Sequence, residues 1–289
     1  MDKIEWYWGW RHVARIVALA SVLGWVATPV AAQSVALVTD VSGRVTGDGP
    51  VTILSEIRAD ARMQLEGGAR LVAMYLKTGD EYTFTGPAQI QFNAAEPQVV
   101  HGNKAQKRAN PLGRGSNVSI RPVNVAQAAF VMRSSRTTAR IKLLSLSGTR
   151  TLDTPPEFRW QAIEPGVKYR VELTDDTGRS LYEAEVEATS LRLPASVKLR
   201  EGASYTWEVS ARMPDNRRYV SSGDFSIASA DVRAQAGKLR PAAGAPVSER
   251  VTYAAWLEQM ELRDEARKFW QALSAERPGD TRLRELAAQ

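Results

Sequence analysis

The spacing of hydrophobic positions changes along this chain from a period of two to a period near four, and the change divides it. In "MQLEGGARLVAMYLKTGDEYTFTGPAQIQF", Leu71, Ala73 and Tyr75 alternate with Val72, Met74 and Leu76. Both sets are apolar, which predicts a strand buried between two layers. "KTGDE" reads as a hairpin turn, with Gly79 free to take a positive φ. Tyr82 and Phe84 alternate away from it, and Ile90 and Phe92 share one face of "GPAQIQF". Upstream, "ALVTDVSGRVTGDGPVTIL" is β-branched and broken by glycine turns. Short strands at regular spacing predict an all-β unit over residues 33–138.

Residues 139–229 read as a second β unit. Seven segments carry strand alternation: "RIKLLSLSG", "PEFRWQAI", "KYRVELTDD", "SLYEAEVEA", "SLRLP", "SYTWEVSAR" and "SGDFSIAS". Seven short strands in ninety residues predict a sandwich of immunoglobulin or fibronectin type III shape. "LREGASY" places Tyr205 at a strand start, as in the tyrosine corner of such sandwiches. Trp160, Tyr169 and Trp207 could form a sugar-stacking platform. Each alternates in phase with Val or Leu, however, so they are expected in the core.

Residues 230–247, rich in Ala, Gly and Pro, read as a linker. Beyond it the period lengthens. Tyr253, Trp256, Leu257 and Met260 fall on one helical face, and Leu262, Ala266, Phe269, Trp270 and Leu273 on another. Pro278-Gly279-Asp280 closes the second helix and caps a third. The spacing of Ala266, Trp270 and Pro278 resembles a tetratricopeptide hairpin over residues 248–289. One such repeat cannot bury its own apolar face. It must pack on the β units, on a second copy or on a partner, and Trp256, Met260, Phe269 and Trp270 are the candidate docking face. The predicted fold class is therefore mainly β: an all-β domain, an immunoglobulin/fibronectin-like β-sandwich and a short C-terminal α-helical hairpin.

The first 32 residues read as an export signal. Lys3, Arg11 and Arg15 precede the apolar run "IVALASVLGWV", Pro29 breaks the helix, and Val30-Ala31-Ala32 supplies small residues before Gln33. The expected location is the periplasm. The alternative is tethering by an uncleaved N-terminal segment, for which the run falls short of the ~20 apolar residues a spanning helix needs.

Candidate chemistry is sparse. The chain has no cysteine, and of its two histidines His12 lies in the leader and His101 stands alone. Thiolate sites are thereby excluded, a His-dependent triad could draw only on His101, and neither a catalytic residue, a metal site nor a cofactor is expected. A carboxylate-pair glycosidase would need two acids across a cleft. The candidates Asp80, Glu81, Asp175, Asp176 and Asp215 are expected in solvated hairpin turns. Charge adds one feature. Between Glu96 and Asp153 there is no acid but there are ten Lys or Arg residues, against a net charge of +6 for the chain. The centre, "GNKAQKRANPLGRGSN", predicts a flexible basic loop over 102–117, with Lys104, Lys107, Arg108 and Arg114 as candidate contacts for an anionic partner.

The "SGRV" opening, the stretch "ARLVAMYLKTGDEYTFTGPAQIQF" and the later "AAFVMRS" together resemble the FecR-like domain of bacterial envelope proteins, over roughly residues 35–133. Proteins of that family relay signals from outer-membrane transporters to a cytoplasmic sigma factor through a segment inside the cell. Here only "MDKIEWYWGWRHVAR" precedes the apolar run, so that role is not carried over. The expected function is a non-catalytic periplasmic interaction or scaffold protein of the cell envelope, with self-association through the C-terminal hairpin as one option. The alternative is a glycan- or cell-wall-binding module recognising anionic envelope polymers. Partners are an envelope protein, an anionic polymer or lipid head groups; nucleic acid is not expected.

Overall fold

The computed structural model describes residues 33–110, 112 and 139–289. The leader, Arg114, the "AAFVMRS" segment and about half of the acid-free stretch lie outside the described residues.

Nine strands build the first sandwich: β1 (Ser34–Ser42), β2 (Val45–Thr46), β3 (Glu56–Arg58), β4 (Arg62–Leu65), β5 (Arg70–Tyr75), β6 (Asp80–Thr85), β7 (Ala88–Phe92), β8 (Pro97–His101) and β9 (Gln106–Ala109). One antiparallel sheet runs β3-β1-β5-β6-β9 and the other β2-β4-β7-β8. The doubly apolar pattern of residues 71–76 has the expected cause. Ala36, Val38, Leu71, Ala73 and Tyr75 point between the two sheets, where they meet Met63, Leu65, Ile90 and Phe92. Leu37 and Met74, on the opposite face of the same strands, join a different cluster made mostly by helices. The expected loop 102–117 is in part a strand, since β9 pairs with β6 from Asp80↔Ala109 to Thr83↔Gln106.

The second sandwich consists of β10 (Thr149–Thr151), β11 (Glu157–Arg159), β12 (Tyr169–Asp175), β13 (Ser180–Val186), β14 (Ser190–Arg192), β15 (Ser204–Arg212) and β16 (Arg218–Ile227). Its main sheet runs β10-β16-β15-β12-β13, and the β11–β14 pair covers it. β12, β15 and β16 stand adjacent as strands C, F and G do in immunoglobulin-type sandwiches. The segment "RIKLLSLSG" is not a strand. It is irregular, with Leu146 at φ 54°, and makes single bridges such as Leu143↔Trp160. Its short edge strand β10 instead runs parallel to β16.

The aromatics are core, as their phase predicts. Phe158, Trp160, Tyr169 and Trp207 are buried, with Phe158–Trp207 ring centroids 5.0 Å apart and Trp160–Tyr169 5.4 Å apart. The Tyr205 hydroxyl accepts a hydrogen bond from the Arg200 amide at 2.7 Å, which completes the tyrosine corner. The Trp207 indole donates to the Leu146 carbonyl at 2.8 Å. Gly223 makes that approach possible, because a Cβ there would lie 2.8 Å from the same carbonyl and 2.9 Å from the indole nitrogen.

Residues read as a linker contain a helix, α1 (Ala230–Leu239). Ser229 caps it by accepting from the Val232 amide, and Asp231 sits in the first turn. Ala, Gln, Lys and Leu are good helix formers, so the alanine content carried helix propensity rather than disorder. Helices α2 (Val247–Gln259), α3 (Arg263–Glu276) and α4 (Thr281–Ala287) follow, with Asp280 capping α4 through the Leu283 amide. Among the described residues no helix is long and apolar enough to cross a membrane.

Candidate binding surfaces

Helix α2 lies against β1 of the first sandwich, α3 packs on α2 and α4 on α3, and one hydrophobic cluster joins the helices to that sheet. Trp256, Trp270, Leu257, Ala266 and Leu273 pack with Leu37, Ile53 and Met74 in one cluster. Each buried Leu or aromatic side chain there is worth about 1.5–3 kcal/mol. Trp256 and Trp270 are both 0% exposed, and Met260 and Phe269 are partly buried against the same cluster. The expected docking face for a partner or a second copy is therefore already covered by this chain's own sheet. Of the three ways to cover an orphan helical face, the chain uses the intramolecular one.

Polar contacts fix the seating. Glu81, 2% exposed, accepts from Arg108 at 2.7 Å, Asn110 at 3.3 Å and Ser248 at 3.1 Å, and Arg108 also pairs with Glu249 of α2. Asp40, also 2% exposed, receives Arg70 at 3.0 Å and Arg277 from the end of α3 at 2.6 Å. The helices are bolted to the second sandwich as well. The Arg150 amide donates to the Glu261 carbonyl at 2.7 Å, the Leu146 amide to the Asp264 carboxylate at 2.7 Å, and Thr149 Oγ1 accepts from the Arg263 amide at 3.0 Å.

This seating uses part of the basic cluster. Lys107, on β9, pairs with Asp80 at 2.8 Å, and the hydrogen bonds its ammonium donates to Asp80 and Tyr82 hold it above the ordinary lysine value. Arg108 is the clamp just described, so two of the four candidate contacts for an anionic partner are spent internally. Lys104 is exposed, and Arg114 lies outside the described residues. Asp80 and Glu81 also depart from the expected turn: both are buried on β6. Asp175 does serve its turn, accepting from the Thr177 and Arg179 amides, and Asp215 accepts from the Arg217 amide.

Among the described residues, two of the open surfaces have a polar or basic lining next to the elements just described. The first is the outer face of the smaller sheet of the first sandwich. On β4 and β7 the core side is Met63, Leu65, Ala88, Ile90 and Phe92, so the alternate residues Arg62, Gln64, Gln89 and Gln91 face outward. Register aligns them in two rows across the strands: Thr46–Gln64–Gln89–His101, and Arg62–Gln91–Gln98. A depression of about 510 Å³ lies over this grid, with the exposed Val100 at its side and no carboxylate in its lining. The second is a cleft of about 630 Å³ between the second sandwich and the helices, lined by Lys142, Arg159, Arg267, Lys268 and Asp264. There Arg267 is tied to Asp264 and Lys268 to Glu265.

The grid has a local sequence signal in its two inner strands. "RMQL" and "AQIQF" alternate a polar residue, mostly glutamine, with each apolar one.

No family model and no curated protein match the chain. Solved structures with some likeness include CopC from Methylosinus trichosporium OB3b, at 17% identity and TM-score 0.24, over 30% of this chain and 93% of that one. The pectate lyase Pel3 of Pectobacterium carotovorum gives 14% identity and TM-score 0.21, over 38% of this chain and 29% of the lyase. PorZ, a bacterial surface component of the type-IX secretion system of Porphyromonas gingivalis, gives 13% identity and TM-score 0.22, over 55% of this chain and 21% of PorZ. The chain thus spans less than a third of the lyase and about a fifth of PorZ. At these scores none of the three assigns this chain a fold family or a role.

Proposed function

We propose that this chain is a non-catalytic interaction protein of the bacterial cell envelope, exported by its N-terminal segment, in which two β-sandwiches form a scaffold for partner contacts. Its first sandwich is read as FecR-like and its helical end as a tetratricopeptide-type hairpin put to structural use. One observation carries the reading. The large apolar faces, including that of the hairpin, are consumed inside the chain, whereas polar sheet faces and a basic cleft are left open. The buried carboxylates Asp40, Asp80 and Glu81 have structural duties as ion-pair anchors, so they are not available as an acid/base pair.

Contact through the β faces replaces contact through the hairpin. It also brings forward the alternative in which the β units hold an envelope polymer. Sedimentation of the chain from Gln33 with isolated cell-wall and outer-membrane fractions tests the proposal. Saturable co-sedimentation with one fraction is expected. A chain that stays in the supernatant with every fraction contradicts it.

A further inference from the structure

The outer face of the β2-β4-β7-β8 sheet has the chemistry of a glycan platform. Along a strand, same-face residues are two apart, about 6.6–6.8 Å, and neighbouring strands are about 4.7–4.9 Å apart. The two rows therefore set amides on a regular two-dimensional lattice. Each glutamine amide carries donors and acceptors together, which is what a vicinal pair of sugar hydroxyls requires. No hydrogen bond or ion pair to another described residue engages the side chains of Arg62, Gln64, Gln89 or Gln91, so this capacity is unspent. Elsewhere the strand surfaces do pair their charges, as Arg170 does with Glu183 at 2.8 Å and Arg179 with Asp175 at 3.2 Å.

Charge narrows the class of ligand. Arg62 is the cation of the grid, its planar fork suits a carboxylate, and no acid lines the depression to oppose one. The lattice lies on paired strands rather than on loops, and its floor is held by the core residues Met63 and Ile90, so it is rigid before any ligand arrives. We infer that this face binds a linear polysaccharide bearing carboxylates, with Arg62 meeting a uronate carboxylate and Gln64, Gln89 and Gln91 meeting ring hydroxyls. The inference deepens the envelope-binding reading and rests on it.

Titration calorimetry of residues 33–289 with oligouronate hexamers and with neutral cellohexaose tests it. Saturable uronate binding that weakens as salt rises is expected, with cellohexaose bound at least about tenfold more weakly. Arg62→Ala should remove that preference, and Gln89→Ala/Gln91→Ala should weaken both sugars. Lys142→Ala/Arg159→Ala, in the other cleft, should change nothing. Unaltered unfolding midpoints would show that the surface variants keep the fold. No saturable binding of either sugar, or binding lost with the cleft variant and not with the grid variants, overturns the inference. Should neither sugar bind while the chain still sediments with an envelope fraction, the broader reading stands and the glycan assignment alone fails.

Discussion

At the scale of single residues, side chains that look like ligand contacts in the sequence turn out to hold the molecule together. Trp160 fits between Tyr169 and Trp207 at 1% exposure, so Trp160→Ala should cost about 3–5 kcal/mol in denaturant unfolding. A variant of unchanged stability that lost sugar binding would contradict the core assignment. Gly223→Ala is expected to destabilise through the Leu146 carbonyl and the Trp207 indole, both already under 3.0 Å from the missing Cβ. Glu258 gives a pH signature. Burial pushes its carboxyl up, while the Trp270 indole, outside hydrogen-bond geometry, and Arg263 and Arg267 pull it partly back. Because the folded value exceeds the unfolded ~4.3, the stability tied to its protonated form is present below that pH and is lost as pH rises through the folded value. Glu258→Gln should therefore raise the melting temperature at neutral pH and flatten its decline above pH ~4.3. An identical pH profile in wild type and variant would refute this.

At the scale of elements, legibility followed the range of the interaction. Alternation over residues 71–76 foretold a strand with two covered faces, and "LREGASY" foretold the Tyr205 corner, because each pattern is local. The partner of each face was not local. Glu81 meets Ser248, 167 residues away, and Asp40 meets Arg277, 237 residues away, so no window of sequence joins them. For the same reason Lys107 and Arg108 read as a free basic loop when they are a strand and a clamp. Helix α1 was missed for a different reason, since alanine-rich text satisfies both linker composition and helix propensity, and the Ser229 cap decides between them. Glu81→Ala should loosen the helical layer by about 1–3 kcal/mol, the cost of leaving Arg108 and Ser248 without their shared acceptor. Proteolysis within residues 240–246 would show it, and unchanged cleavage would count against the clamp. The glutamine grid lay open in the sequence as an every-second-residue pattern, but only the register brings Gln64 beside Gln89 and Arg62 beside Gln91.

At the scale of the whole molecule, the helices touch both sandwiches, so residues 33–289 should behave as one body rather than as three modules on linkers. A single calorimetric transition with matching calorimetric and van't Hoff enthalpies is expected, and two resolved transitions would separate the sandwiches. The central claim is that the hairpin's apolar face is spent on this chain's own sheet, which moves partner contact to the β faces. Amide hydrogen exchange tests it most directly, by comparing α2 and α3 with β1 and β5 in the absence of any partner. The account predicts that all four exchange only through the same global opening. Helices that exchange through a much cheaper opening, while β1 and β5 stay protected, would mean that the hairpin is free to leave the sheet and dock elsewhere.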